Sequence, residues 1–239
     1  MNAFSRVCSV VVALAAVFPG AHGEGASIDE AAVVAVLKGI TWLGHATVRI
    51  EISGKVIYVD PVRARKGEKA DLILITHDHD DHYDPSTIKA LSKQGTVIVA
   101  PKRLGLETVT LAPGSSGSFA GFAVEAIPAY NIKKTQFHPR RDGNVGYVVT
   151  VAGVRIYQSG DTERIPEMKS VHADIAFVPL GQVYTMGSVG EAVEAVIDSG
   201  ARAAAPIHWG ENEGSDANAK AFVKSLKERG VNALILPRD

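Results

Sequence analysis

Short apolar runs separated by turn residues dominate the chain from Ile40 onward. Residues 40–43, 47–52, 56–60, 71–76, 96–100, 122–127, 145–151 and 154–158 are rich in β-branched and aromatic side chains. Each run predicts a strand, because it is too short for a helix and is bounded by turn residues. Ser53-Gly54 and Ala152-Gly153 sit between paired runs and read as hairpin turns. Beyond residue 158 the pattern alternates, with strands at 174–180, 203–207 and 233–236 and helices starting from Ser188 and Ser215. Helix starts are locally specified: Asp84-Pro85 supplies a cap followed by proline, and Ser188 with Glu191 forms a capping box. The Gly/Ser-rich stretch 113–121 reads as a hairpin loop. Strands first, then strands mixed with helices, predict an α/β fold of two face-to-face sheets with helices outside. No repeat, low-complexity tract or long linker divides residues 24–239, so one domain is expected.

The N-terminus follows a different pattern. Arg6 precedes the apolar run 7–18, and Ala21-His22-Gly23 offers small residues at the positions a signal peptidase reads. Residues 1–23 are therefore expected to be a secretory leader, and the mature protein periplasmic or secreted. No later apolar segment reaches about 18 residues, so stable membrane insertion is not expected after leader removal.

Composition narrows the function. The 239 residues are 46% hydrophobic and 21% charged, as in a globular domain with a sizeable core. Lys plus Arg number 25 against 26 Asp plus Glu, which leaves no general positive field for nucleic acid. The single cysteine, Cys8, falls in the leader. Disulfides, cysteine nucleophiles and thiolate metal sites are thereby excluded from the mature chain.

The chemistry concentrates at the end of the predicted strand 71–76, which runs into His77-Asp78-His79-Asp80-Asp81-His82. In extended backbone, residues two apart point the same way, so His77 and His79 can share a metal while the following turn redirects Asp81 and His82. Imidazole and carboxylate together suit zinc, with manganese or iron as alternatives, and this density can hold two ions. Asp161 follows the strand 154–158 in a Ser-Gly-Asp-Thr turn, and His208 ends the strand 203–207.

This constellation resembles the metallo-β-lactamase-fold hydrolase superfamily, whose His-x-His-x-Asp-His motif is matched at His77, His79, Asp81 and His82. The closest pattern is a compact branch that includes ascorbate-6-phosphate lactonase-like proteins. It is marked here by Trp42-Leu43-Gly44-His45-Ala46, Val59-Asp60-Pro61, Ser159-Gly160-Asp161-Thr162, Tyr184-Thr185-Met186 and Pro206-Ile207-His208. The resemblance implies a four-layer αββα sandwich with two divalent metal ions at one edge. It assigns His77, His79 and His138 to one ion, Asp81, His82 and His208 to the other, and Asp161 as the bridge. The third histidine of the first set is where the chain departs from its relatives, which often place it directly after a strand, at the position of Asn131. That leaves His138 and Asn131 as alternatives for the ligand, with Asn131 otherwise orienting substrate. His45 is assigned a supporting or substrate role, and Lys133, Lys134, Arg140 and Arg141 around His138 read as a solvated basic loop.

The implied activity is hydrolysis of a small-molecule ester, lactone, amide or phosphodiester by a hydroxide between the metals, which Asp81 could orient. A non-catalytic metal-binding protein and an iron-dependent redox enzyme are the rivals.

Overall fold

The computed structural model describes residues 30–238 except 63, 65, 66 and 212. The expected leader and its cleavage point lie outside the described residues. Strands β1 (Ile40–Gly44), β2 (Thr47–Ile52), β3 (Lys55–Val59), β4 (Ala70–Leu74), β5 (Ser92–Ala100) and β6 (Val109–Thr110) form the first sheet, in that order. Strands β7 (Ser116–Phe119), β8 (Phe122–Pro128), β9 (Val145–Val151), β10 (Val154–Gln158), β11 (Ile175–Pro179), β12 (Ala203–Ile207) and β13 (Asn232–Ala233) follow one another across the second. Each sheet is antiparallel in its earlier strands and parallel in its later ones.

The parallel steps need crossovers. Helix α2 (Pro85–Leu91) connects β4 to β5, α3 (Val189–Asp198) connects β11 to β12, and α4 (Asp216–Glu228) connects β12 to β13. Helix α1 (Glu30–Lys38) precedes β1 and buries Val33 and Val36. The predicted caps hold: Asp84 accepts from Ser86 N, Ser188 from Glu191 N and Ser215 from Asn218 N.

Side-chain alternation creates the layers. On β3, Ile57 and Val59 face the main core, whereas Val56 and Tyr58 face a second cluster with Ile88 and Leu91 of α2. Leu72 and Leu74 of β4 join the main core with Val149 and Ile156 from the second sheet. The central strands β4, β11 and β12 are buried on both faces, which is why they read as continuous apolar runs. The expected αββα sandwich is the architecture found. Truncating Leu74 to alanine at its centre would cost roughly 2–5 kcal/mol.

Three expectations are corrected. The 113–121 stretch is more than a loop: Ser116–Phe119 pairs with β8, and the reversal falls at Ala120-Gly121, whose φ of 52° and 92° suit a tight hairpin turn. Strand β5 begins at Ser92, because the Thr96 hydroxyl bonds to Ala70 O (2.7 Å) and receives Lys93 N (2.9 Å), holding an irregular start to the pairing. The strand expected at 233–236 shortens to β13, since the chain then crosses to the first sheet, where Arg238 pairs with Trp42.

Candidate metal centre

The site lies where the carboxyl ends of β3, β4, β10 and β12 meet, the side of a parallel sheet on which outgoing loops are free to carry chemistry. Cross-sheet bonds close this edge: Tyr147 Oη donates to Ile75 O (2.9 Å), Val145 N to Thr76 O (3.1 Å) and His208 N to His45 O (2.8 Å). After β4 the chain turns because Thr76 N donates to Asp60 Oδ1 (2.8 Å). His82 N and Tyr83 N both donate to His79 O, at 3.0 and 2.8 Å, folding the histidine motif back on itself before the Asp84 cap.

This folding gathers three sets of possible donor atoms, each within 4.8 Å: His77, His79 and His138; His77, His82 and Asp161; and His45, Asp81, His82 and His208. His77 Nε2 lies 3.1 Å from His79 Nδ1, as expected for alternate residues of an extended segment. Asp161 is central, its carboxylate 3.3 Å from His82 Nε2, 3.4 Å from His138 Nε2 and 3.1 Å from His208 Nε2. Asp81 Oδ2 is 3.9 Å from His208 Nε2. All seven residues expected to ligate metal are therefore brought together. The Asn131 amide nitrogen donates to Tyr184 O (2.7 Å) and Lys134 O (3.2 Å), while its Oδ1 is buried without a hydrogen-bond partner.

Acceptors behind the rings set the tautomers. His82 Nδ1 lies 2.8 Å from Asp60 Oδ2, and His208 Nδ1 lies 2.6 Å from Glu213 Oε1. The Thr76 hydroxyl donates to Asp60 Oδ2 (2.7 Å), leaving its lone pair for His77 Nδ1 at 3.0 Å. These partners assign the protons to Nδ1 and leave the Nε2 lone pairs facing inward, the arrangement found behind metal-binding histidines. Backbone strain accompanies it, since His45, Asp60 and His208 have φ of 48°, 47° and 56°.

The residues fit a metal. His82 Nε2, His208 Nε2 and Asp161 Oδ1 are buried and converge, and the two ring nitrogens stand 3.3 and 3.1 Å from the Asp161 oxygens without hydrogen-bond geometry. Leaving such groups unmet is costly, so a ligand that satisfies them together is called for. The electrostatics agree. Burial opposes charge on Asp161, yet His208 and His82 hold its carboxyl well below the usual range. Burial likewise opposes charge on His82, but Asp161 and Asp60 raise it well above normal, and His208 is pushed up to about 9 against its own burial by Asp161 and Glu213. The carboxylates thus demand positive charge, which protons or bound cations can meet. His77 moves the other way, lowered well below normal by burial and by His82, and so stays a neutral donor.

Supporting residues account for the loops. His45 Nε2 lies 3.0 Å from Asp81 Oδ2. The basic loop is only partly solvated, which corrects the sequence expectation. Lys134 Nζ is drawn onto the carbonyls of Gln182 and Thr185, and Arg140 covers the Tyr130 ring and pairs with Glu167. Buried Glu163 receives Ile132 N and Lys133 N at 2.8 and 2.6 Å, fixing the start of the loop that carries His138. Sequence reasoning missed the parts played by Asp60, Thr76, Glu163 and Glu213. Asp60 lies within a quoted motif and Thr76 adjoins one, but nothing near Glu213 in the sequence marks it as the partner of His208.

Comparisons with known proteins agree with this fold. Residues 39–208 match the family model of the beta-lactamase superfamily domain. A UPF0173 metal-dependent hydrolase of Archaeoglobus fulgidus is 28% identical over 222 residues, covering 82% of this chain and 94% of the relative. A UPF0173 protein of Pyrococcus abyssi is 33% identical over 207 residues, covering 82% and 94%. The crystal structure of a protein from Parabacteroides distasonis, described as a metal-dependent hydrolase, superposes with a TM-score of 0.75 at 36% identity, covering 84% of this chain and 93% of that one. With its family match, its αββα layers and its strand-end histidines and aspartates, the chain belongs to the metallo-β-lactamase superfamily of metal-dependent hydrolases.

Proposed function

We propose that this protein is an exported dinuclear hydrolase acting on a small molecule at a carbonyl or phosphoryl centre. His77, His79 and His138 would hold one ion, Asp81, His82 and His208 the other, and Asp161 would bridge them. The observation that carries the reading is the convergence of His82 Nε2 and His208 Nε2 on the Asp161 carboxylate, all buried and within 3.3 Å but without hydrogen-bond geometry. When bound, the ions supply Lewis acidity toward the substrate oxygen and toward water.

The protein's own groups do the rest. Asp60 and Glu213 hold the His82 and His208 rings with Nε2 inward. Asp81 is kept ionised: burial opposes this, but His45 and His82 hold its carboxyl far below the ordinary range. It therefore stays a charged hydrogen-bond acceptor that can orient water. Tight cross-sheet closure by Tyr147 keeps bulk solvent out from beneath. Zinc suits the nitrogen-rich donor set, and export follows from the Arg6 leader pattern.

Elemental analysis of purified protein should give close to two transition-metal ions per chain, and Asp161→Ala should lower the content of both. Turnover of a mixed panel of esters, lactones and phosphodiesters then assigns the bond class. A protein that purifies with metal yet turns over none of these would make it a metal-binding protein, and an unchanged metal content in Asp161→Ala would remove the bridge.

A further inference from the structure

We propose that Arg238 forms a subsite for an oxyanionic group of the substrate, a carboxylate or a phosphate, beside the metal centre. The proposal rests on the reading above that the cluster is the reaction centre, and it adds the class of substrate. A cavity of about 50 Å³ opens against the cluster, walled by His45, Asp81, Thr47, Val62, Glu211 and Arg238 among others. This space admits a carboxylate or phosphate group.

The donors available in that cavity decide what can enter. The Thr47 hydroxyl is committed, donating to Asp60 O (2.6 Å) and receiving Val62 N (3.2 Å). His45 Nε2 is taken by Asp81. Asp81 and Glu211 offer only acceptors. The guanidinium of Arg238 is the group that brings several N–H donors in a planar fork, and its recorded partner is Glu211, at Nη2. A guest that accepts hydrogen bonds is therefore met, among these side chains, by Arg238. An anionic guest gains most, because charge-assisted bonds from arginine are roughly twice as strong as neutral ones and suit a two-oxygen group.

The guanidinium is also held in place before any guest arrives. Arg238 pairs through its backbone with Trp42 on β1, and the Trp42 ring stacks on Trp209 at 5.3 Å, next to His208. The arginine lies flat along Gly44, where an added Cβ would sit 2.9 Å from both Nε and Nη2. Glycine at 44 thus lets the charge lie directly beside His45. Fixing the side chain in advance lowers the ordering cost of binding.

A structural clasp between the C-terminal segment and the loop bearing Glu211 is the competing role, and two variants separate it. Inorganic phosphate and acetate are titrated by calorimetry into the purified metal-loaded protein, Arg238→Ala and Glu211→Gln, with metal content and thermal midpoint measured on each. The expected result is phosphate binding by the unmodified protein and at least a tenfold weaker affinity in Arg238→Ala at unchanged metal content. Glu211→Gln should bind phosphate as well or better, since it removes a competing carboxylate. Equal phosphate affinity with and without Arg238, or no binding to the unmodified protein, would overturn the subsite. Parallel loss of binding and of thermal midpoint in both variants would make the pair a clasp and overturn it too. Failure of the metal reading shows separately, as protein without metal, whereas the comparison between variants still reads Arg238.

Discussion

Glu213 meets His208 through a 2.6 Å contact between Oε1 and Nδ1, while its other oxygen receives Val183 N at 3.0 Å and Tyr184 N at 3.1 Å. One buried carboxylate therefore fixes a candidate ligand ring and the adjacent loop. Room for it depends on Gly181, where an added Cβ would lie 1.7 Å from Glu213 Oε1. Gly181→Ala should displace the carboxylate without changing its chemistry, and Glu213→Gln should change the chemistry with little displacement. Both should weaken the ion held by His208 by roughly 10–100-fold, the range for outer partners of metal-bound histidines. Chelator competition reads the affinity, and wild-type affinity in both variants would remove Glu213 from this role.

Asp60 does the corresponding work for His82. It is fully buried and accepts from Thr76 N and the Thr76 hydroxyl while contacting His82 Nδ1. Asp60→Ala leaves these groups unmet, at roughly 1–3 kcal/mol for each buried group. Its φ of 47° also suits Asp or Asn better than alanine. Urea denaturation should therefore show Asp60→Ala less stable than Asp60→Asn by about 1 kcal/mol or more. Equal stability of the two variants would mean that the carboxylate matters only to the metal.

These partnerships mark the limit of what the sequence made legible. His77, His79 and His82 were readable because strand alternation and the following turn act over a few residues. Helix α3 was readable from Ser188 and Glu191, whose bonds are local. By contrast Asp60 meets His82 from 22 positions away. Glu213 reaches Val183 N across 30, and neither approach leaves a periodic trace. Helix α1 escaped because its buried residues, Val33 and Val36, make only a single step of helical period. The Gly/Ser composition of β7 hid a strand whose identity comes from its pairing with β8.

The Asp84 cap predicts a pH dependence of stability. Burial opposes its charge, but bonds from Thr87 and Ser86 lower its pKa to about 2. The unfolded value is about 3.9, so the stabilisation is fully present above that pH and is lost as pH falls through about 2. Asp84→Ala should cost about 1 kcal/mol at neutral pH. That difference from the unmodified protein should shrink between pH 4 and pH 2, as read by denaturation at each pH, and a constant difference would assign the cap's contribution to packing alone.

His138 is the ligand assignment that the motif supports least and that substitution tests best. Its Nε2 lies 3.4 Å from Asp161, and it groups with His77 and His79, yet its Nδ1 is buried without a hydrogen-bond partner, unlike Nδ1 of His77 or His82, and without the carboxylate contact that Glu213 gives His208 Nδ1. Among the described residues no carboxylate or hydroxyl bonds to its Nδ1; position comes from the loop, through Asn131 N to His138 O at 2.7 Å and Glu163 beneath residues 132 and 133. His138→Ala should therefore release one ion selectively, leaving the Asp81, His82 and His208 set filled, with an affinity loss above the roughly 10–100-fold expected of a supporting group. Asn131→Ala removes bonds to Tyr184 O and Lys134 O and should alter turnover more than metal content. Retention of both ions by His138→Ala together with loss of an ion from Asn131→Ala would reverse the assignment, because the ion would then depend on the Asn131 side chain and not on the His138 imidazole.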